Sequence, residues 1–419
     1  MSPLTEEFLS TLDARLAPAD QALAERYPGD PGGRQPVHTA YVPADAVSGD
    51  TPATWGGVAL ALLDAVAPDP ATAAEVTGLG PDLDAEVHRR ARAKLAAQPV
   101  EDLRLDFEDG YGRRPDAEED VAATTAGRTI AGLLRAPDGP SFAGIRFKSL
   151  EAATRRRGLR TLDLVLGSLL AVGPLPEGFV VTLPKATSVD QVTAMTAVCE
   201  VLEHAYGLPT GRLRFEIQVE TPQAILAADG ATTVAAMVHA AGRRCLGLHY
   251  GTYDYSAACG IAPAQQSMEH PAADHAKAVM QVAAAGTGVR LSDGSTNVLP
   301  LGPPQQVREA LALHARLVRR SLERGYYQGW DLHPGQLVTR YLATYAFYRS
   351  GLSAVARRLR DYVGRVEGGV LDEPATAQAL ASFVLRGLDC GALDETEAVS
   401  STGLGRTGLE ALARRREVP

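Results

Sequence analysis

The sequence predicts a (β/α)8 barrel of the α/β class, with an N-terminal extension and a C-terminal helical segment. Three observations carry this prediction. Eight short β-rich runs recur along the chain, each followed by a stretch of helical period, and such alternation requires parallel strands joined by crossover helices. Ionisable residues gather at the C-terminal ends of those runs, where barrels of this kind build their sites. The turn after the first run reads PADAVSGD, so the Gly-x-Gly-x-x-Gly of a dinucleotide-binding open sheet is missing, as is any phosphate loop ending in GK[ST]. A doubly wound open sheet is therefore the weaker of the two architectures.

The runs are PVHTAYVPADAV (36–47), LRLDFEDGYG (103–112), FAGIRFKSL (142–150), GFVVTLPKA (178–186), LRFEIQVETP (213–222), RCLGLHYGTYDYS (244–256), TGVRLSDG (287–294) and YYQGWDLHPGQL (326–337). Helix-period stretches between them, such as SVDQVTAMTAVCEVLEHAYG and QQVREALALHARLVRRSLERG, end in Gly, as helix C-caps do. The segment 48–100 is read as helix plus loop, and the long connection after the sixth strand, YDYSAACGIAPAQQSMEHPAADH, as a candidate lid. The expected division is an N-terminal extension over 1–35, a barrel over 36–340 and a helical segment over 341–419.

At 419 residues, 45% hydrophobic, the chain can bury a large core. A net charge of −9 argues against a nucleic-acid partner, and the runs Arg155–Arg157 and Arg414–Arg416 read as solvated faces. Four scattered cysteines suggest a reduced, cytoplasmic protein. The acidic N-terminus does not read as a signal peptide, and the longest apolar stretch, TLDLVLGSLLAVG, is too short to span a membrane. The only lysines are Lys94, Lys148, Lys185 and Lys277. In a sequence this rich in arginine, a lysine at a strand end suggests a need for a compact ammonium, whereas Lys94 and Lys277 read as ordinary helix lysines.

The charges at the strand ends carry the functional reading. The second run holds Asp106, Glu108 and Asp109, the third Arg146 and Lys148, the fourth Lys185, the fifth Glu220, the sixth Asp254, the seventh Asp293, and the eighth Asp331 and His333. Burying an ion costs roughly several kcal/mol unless it is paired or bound to a metal, so this many point to one polar site. Asp106, Asp293 and Asp331 read equally well as helix caps or loop ion pairs. Two carboxylates from neighbouring strands, Glu220 and Asp254, suit a hard cation, Mg²⁺ or Mn²⁺. Such a cation polarises a carbonyl and stabilises an enolate. Arg146 offers a fork for a substrate carboxylate, and Lys185 adds positive potential or pairs with Glu108. Lys148 and His333 are further candidates for substrate contact.

In these residues the sequence resembles the HpcH/HpaI aldolase and citrate lyase beta-subunit family, and more distantly malate synthase. The matching stretches are YVPAD (41–45), LDFEDG (105–110), IRF (145–147), LPK (183–185), VETP (219–222), GTYD (251–254) and LHPGQ (332–336), in the family's order over about residues 36–340. The resemblance implies Glu220 and Asp254 as Mg²⁺ ligands and Arg146 on the substrate carboxylate or enolate oxygen. It places Glu108 and Asp109 in or behind the metal's water shell, and Asp372 in GGVLDEPA as an acid/base reaching a neighbouring subunit. It further implies a trimer or hexamer, and a small 2-oxo or 3-hydroxy acid or its CoA thioester as substrate. Lys148 stands where relatives carry an Asn-like residue, which puts CoA recognition in question. The expected activity is carbon–carbon lyase. The alternatives are a condensation with thioester hydrolysis, as in malate synthase, and a catalytically silent ligand-binding barrel.

Overall fold

The computed structural model describes residues 4–364 and 373–415. Eight parallel strands form one sheet: β1 (His38–Pro43), β2 (Asp102–Asp106), β3 (Phe142–Arg146), β4 (Phe179–Leu183), β5 (Phe215–Val219), β6 (Cys245–Tyr250), β7 (Arg290–Ser292) and β8 (Gly329–Asp331). Each strand from β1 to β7 pairs with its sequence neighbours, and β8 returns to pair with β1. A single parallel bridge, Ser292 to Gln328, brings β7 and β8 together and completes the ring. All eight strands fall on the eight runs read from the sequence, and the TIM-barrel prediction holds. Segment 48–100 folds as helices Thr51–Val66, Pro70–Thr77 and Ala85–Ala97.

Strand side chains alternate between two environments. Ala40, Val42, Leu103, Leu105, Ile145, Val181, Phe215, Ile217 and Leu248 are buried in the large apolar core shared with the surrounding helices. Their neighbours face the barrel axis, and that interior is strongly polar. Arg104, fully buried, donates to Asp102 at 2.8 Å and Glu216 at 2.9 Å. Glu216 also meets Nε2 of His249 at 3.2 Å, whose Nδ1 accepts from the Trp330 indole. Room for the guanidinium comes from Gly144, where a Cβ would stand 1.6 Å from the Val180 carbonyl and 3.0 Å from Arg104 Nη1. Any side chain there would force β3 from β4.

The helix after β8, Pro334–Val363, runs 30 residues. Its first half is buried and its later part carries Leu359 into a second apolar cluster with Leu380, Val384, Leu388, Leu409 and Leu412. The 340/341 boundary expected from the sequence thus lies inside one helix. The N-terminal helix Glu6–Arg26 is capped by Thr5 and buries no residue. Among the described residues no helix is long and apolar enough to cross a membrane.

Two readings of the cations need correction. Arg157 is not a solvated residue: its guanidinium, 12% exposed, pairs with Asp120 at 2.7 Å and Glu119 at 3.4 Å. Nor are Lys94 and Lys277 ordinary helix lysines. Lys94 meets Glu101 at 2.8 Å and Lys277 meets Asp293 at 3.0 Å, both carboxylates being buried. All four lysines of the chain pair with carboxylates that are largely or wholly withdrawn from solvent. A compact ammonium fits such a slot with less surrounding space than a guanidinium needs.

Candidate active site

The parallel topology puts the C-terminal ends of all eight strands on one rim, and the expected cluster assembles there. Asp106 closes β2, and its two oxygens accept from Arg146 Nε at 2.7 Å and Nη2 at 2.6 Å. They also accept from the amides of Glu108 (2.9 Å) and Gly110 (2.8 Å), which fixes the turn that follows. Arg146 closes β3 with its Cζ 5.0 Å over the Tyr41 ring. The fork expected to be open to substrate is therefore half engaged. Only the Nη1 edge is free of Asp106, and it lies 3.6 Å from Glu108.

Lys185 follows β4 at a φ of 49°, in the left-handed region that side-chain-bearing residues seldom occupy. Strain of this kind, about 1–3 kcal/mol, collects at functional sites. The conformation lets one residue meet four carboxylates. Its amide donates to Glu220 Oε1 at 2.8 Å, while its ammonium reaches Glu108 (2.7 Å), Asp109 (2.8 Å) and, at 3.9 Å, Asp254.

Glu220 follows β5 and is 1% exposed. Its second oxygen accepts from Gln218 at 2.9 Å. The side chain lies flat against Gly251, where a Cβ would stand 2.4 Å from Glu220 Cβ and 2.6 Å from Oε2. Asp254 sits in the first turn of the helix Thr252–Ala258, about half exposed. Among the described residues no three His, Cys, Asp or Glu side chains stand in a metal-holding arrangement.

Electrostatics separates these carboxylates. Burial, with the nearby charges of Asp254 and Glu108, pushes Glu220 up to about 8, against a partial offset from Arg146. Burial likewise lifts Glu108 to about 7. Burial raises Asp254 too, although Lys185 opposes it. For Asp109 burial works upward, but hydrogen bonds with Glu108 and Lys185 outweigh it and hold the carboxyl low. Glu108, Asp109 and Asp254 thus share the Lys185 ammonium, Glu220 meets only the Lys185 amide, and Arg146, clamped by Asp106, offers them one edge at 3.6 Å from Glu108. Carboxylate oxygens are the donors that a hard divalent cation takes.

Other candidates stand apart from this cluster. Lys148 is committed to Glu119 at 2.7 Å and the Phe107 carbonyl at 2.8 Å. His333 caps the helix Pro334–Val363, its Nδ1 accepting from the Gly335 amide at 3.0 Å. Asp293 is held by Lys277 and Ser321, and Asp331 by Arg340, His314 and His38. Asp372 lies outside the described residues. Gln218, Gly251 and Tyr41 were not singled out from the sequence. Period two was the available signal, because Glu216, Gln218 and Glu220 alternate along β5 as Asp102, Arg104 and Asp106 do along β2.

The fold is shared with a solved structure of a citrate lyase. A citrate lyase from Burkholderia xenovorans LB400 superposes with a TM-score of 0.58 at 19% identity, covering 89% of this chain and 97% of that one. A Haloferax volcanii malate synthase in a lead(II) complex gives 0.49 at 16% identity, covering 88% and 90% of the two chains. The protein CitE of Mycobacterium tuberculosis, in complex with magnesium and acetoacetate, gives 0.46 at 17% identity, covering 84% and 98%. No curated protein matches the sequence. By sequence the match extends over residues 16–417, and the chain belongs to the family described as a domain of unknown function, DUF6986.

Proposed function

We propose that this chain is a divalent-metal-dependent carbon–carbon lyase acting on a small 2-oxo or 3-hydroxy acid or its CoA thioester. The observation that supports the reading most is the convergence of four carboxylates on Lys185 at the barrel mouth, Glu108, Asp109 and Asp254 around its ammonium and Glu220 on its backbone amide. A buried carboxyl pushed up to about 8 is held mainly as the neutral acid at neutral pH, and a cation sharing the site would favour its ionised form. The motif order that resembles the citrate lyase beta-subunit family supports it as well.

Glu220 and Asp254 would hold Mg²⁺ or Mn²⁺, which when bound polarises a carbonyl and stabilises enolate charge. The chain's own residues do the rest. Arg146 would bind a substrate carboxylate through the Nη1 edge that Asp106 leaves free, with the Asp106 clamp keeping the guanidinium plane fixed. Lys185 keeps its positive charge, because Asp109 and Glu108 outweigh the burial that opposes it. Its ammonium adds potential where negative charge develops. Glu108, near neutrality in its proton affinity, would accept or return a proton at the substrate carbon or a bound water. Gln218 and Gly251 position Glu220. Lys148, engaged behind the strand, and His333, at the rim, would bear on substrate only indirectly. Asp372 would act from a neighbouring copy in an oligomer.

A thermal-shift screen of 2-oxo acids and acyl-CoAs, each with and without Mg²⁺, tests the proposal. A ligand that stabilises only in the presence of metal, and is then cleaved, is the expected result. Thiol release from acetyl-CoA with glyoxylate would identify a condensing enzyme instead. Metal-independent binding with no product after long incubation would identify a silent barrel.

A further inference from the structure

The opposite end of the barrel holds a feature with no part in this chemistry. A cavity of ≈ 330 Å³ lies between the strand N-termini and the C-terminal helices, under the glycine-rich segment 29–33. Its charges do not balance locally. Arg34 is matched by Glu101, Arg406 by Asp389 and, more loosely, Arg414 by Glu410. That leaves Arg290 and Arg386 facing Asp30, whose Oδ1 already accepts from the Gly32 amide at 2.8 Å. Among the described residues, neither arginine has a carboxylate within ion-pair distance.

Arg290 is anchored rather than neutralised. Its guanidinium donates to the carbonyls of Gly32 (3.0 Å), Gly33 (2.8 Å) and Arg34, which ties the glycine segment to β7. Arg386 lies with Cζ 4.2 Å over the Tyr327 ring, and its N–H groups have no hydrogen-bond partner among the described residues. Arg214, with no ion pair among the described residues, lines the adjoining cavity. Burial holds Arg290 below the ordinary guanidinium range; Asp30 and Asp389 oppose this, while Arg386 and Arg214 reinforce it. Neighbouring part-buried guanidiniums without an ion-paired carboxylate attract an anion. In a chain of net charge −9 such a local excess is not a by-product of composition.

We propose that this cavity binds a small oxyanion-bearing metabolite, a phosphate ester or polycarboxylate, between Arg386 and the Arg290-anchored glycine segment. The planar, multi-donor geometry of guanidinium suits both oxyanion types. The site lies at the end of the barrel away from the mouth, so its occupant is an effector or second ligand and not the substrate. The inference does not depend on the reaction proposed above.

Calorimetric titration of the full chain, in chelator and without metal, with inorganic pyrophosphate in one arm and citrate in the other, tests it. Saturable binding of at least one, weakening as salt rises, is expected. Arg386→Gln should weaken it by at least about tenfold, the size of one lost charge-assisted contact. Arg386→Glu should abolish it while leaving the melting temperature equal or higher, because the new carboxylate meets Arg290. Lys185→Ala, at the mouth, should leave it unchanged. Binding of neither probe would overturn the proposal, as would binding that survives both Arg386 variants or is lost in Lys185→Ala.

Discussion

Glu216 and Glu220 lie on or just beyond the same strand, four residues apart, buried and facing the barrel axis, yet their proton affinities diverge. For Glu216 burial works against ionisation, but His249 and Arg104 outweigh it and hold the carboxyl down at about 2. Glu220, with no ion pair and only a partial offset from Arg146, is pushed up by burial to about 8. Glu101 repeats the first pattern at the barrel's N-terminal end, where Lys94 and Arg34 overcome burial and keep it at about 2. Asp102 is intermediate: burial raises it, and it shares Arg104 with Glu216. Equal burial therefore has two meanings in this molecule. Glu216 and Glu101 belong to matched structural networks; Glu220 and Glu108 at the rim are left short of positive charge, which is where a cation-dependent site is expected.

The strongest way to disturb this contrast is to remove the cation that the interior depends on. Arg104→Met leaves Asp102 and Glu216 buried without their guanidinium and should destabilise the fold by roughly 3–5 kcal/mol, measured by denaturant unfolding. The same experiment on Lys185→Gly, at the rim, should show a change of about 1 kcal/mol or less, since relief of the left-handed strain offsets the lost ion pairs. Turnover should nevertheless fall to background.

Gly251→Ala pushes a methyl into Glu220. Overpacking should cost roughly 1–3 kcal/mol of stability, and the larger readout should be loss of Mg²⁺-dependent stabilisation. Gln218→Leu removes only the hydrogen bond that orients Glu220 and should weaken metal affinity by roughly 10–100-fold with the fold intact, by calorimetry.

The pH dependence gives a gentler probe. Glu220 has a folded proton affinity raised from its ordinary 4.5 to about 8, so between those values the folded chain holds a proton that the unfolded chain has released. Metal-free stability should therefore fall as pH rises from about 4.5 through about 8, and Glu108 adds to the slope in the same direction. Thermal unfolding against pH should show this decline, Glu220→Gln should flatten it, and Mg²⁺ should offset it in the unmodified chain.

The eight strands could be read from the sequence because each is a short apolar run closed by a turn, and the rim carboxylates stood out because they follow such runs. The interior network could not be found that way. Asp102, Arg104 and Glu216 sit within strands, and only the knowledge that a barrel's axis-facing layer is polar here would place them together. Arg146 showed a similar gap. Its position at the end of β3 was clear, but its bidentate clamp by Asp106 depends on the parallel register of β2 with β3. The burial of Lys94 and Lys277 depends on tertiary partners far along the chain or beyond their own helix, which local period cannot reveal.

Manganese binding followed by electron paramagnetic resonance addresses the cation site itself. One Mn²⁺ per chain should lose its free-ion signal in the unmodified protein and be displaced by Mg²⁺. Glu220→Gln, folded by circular dichroism, should leave the free-ion signal undiminished. Undiminished Mn²⁺ binding in both Glu220→Gln and Asp254→Asn would mean that these carboxylates do not share an ion.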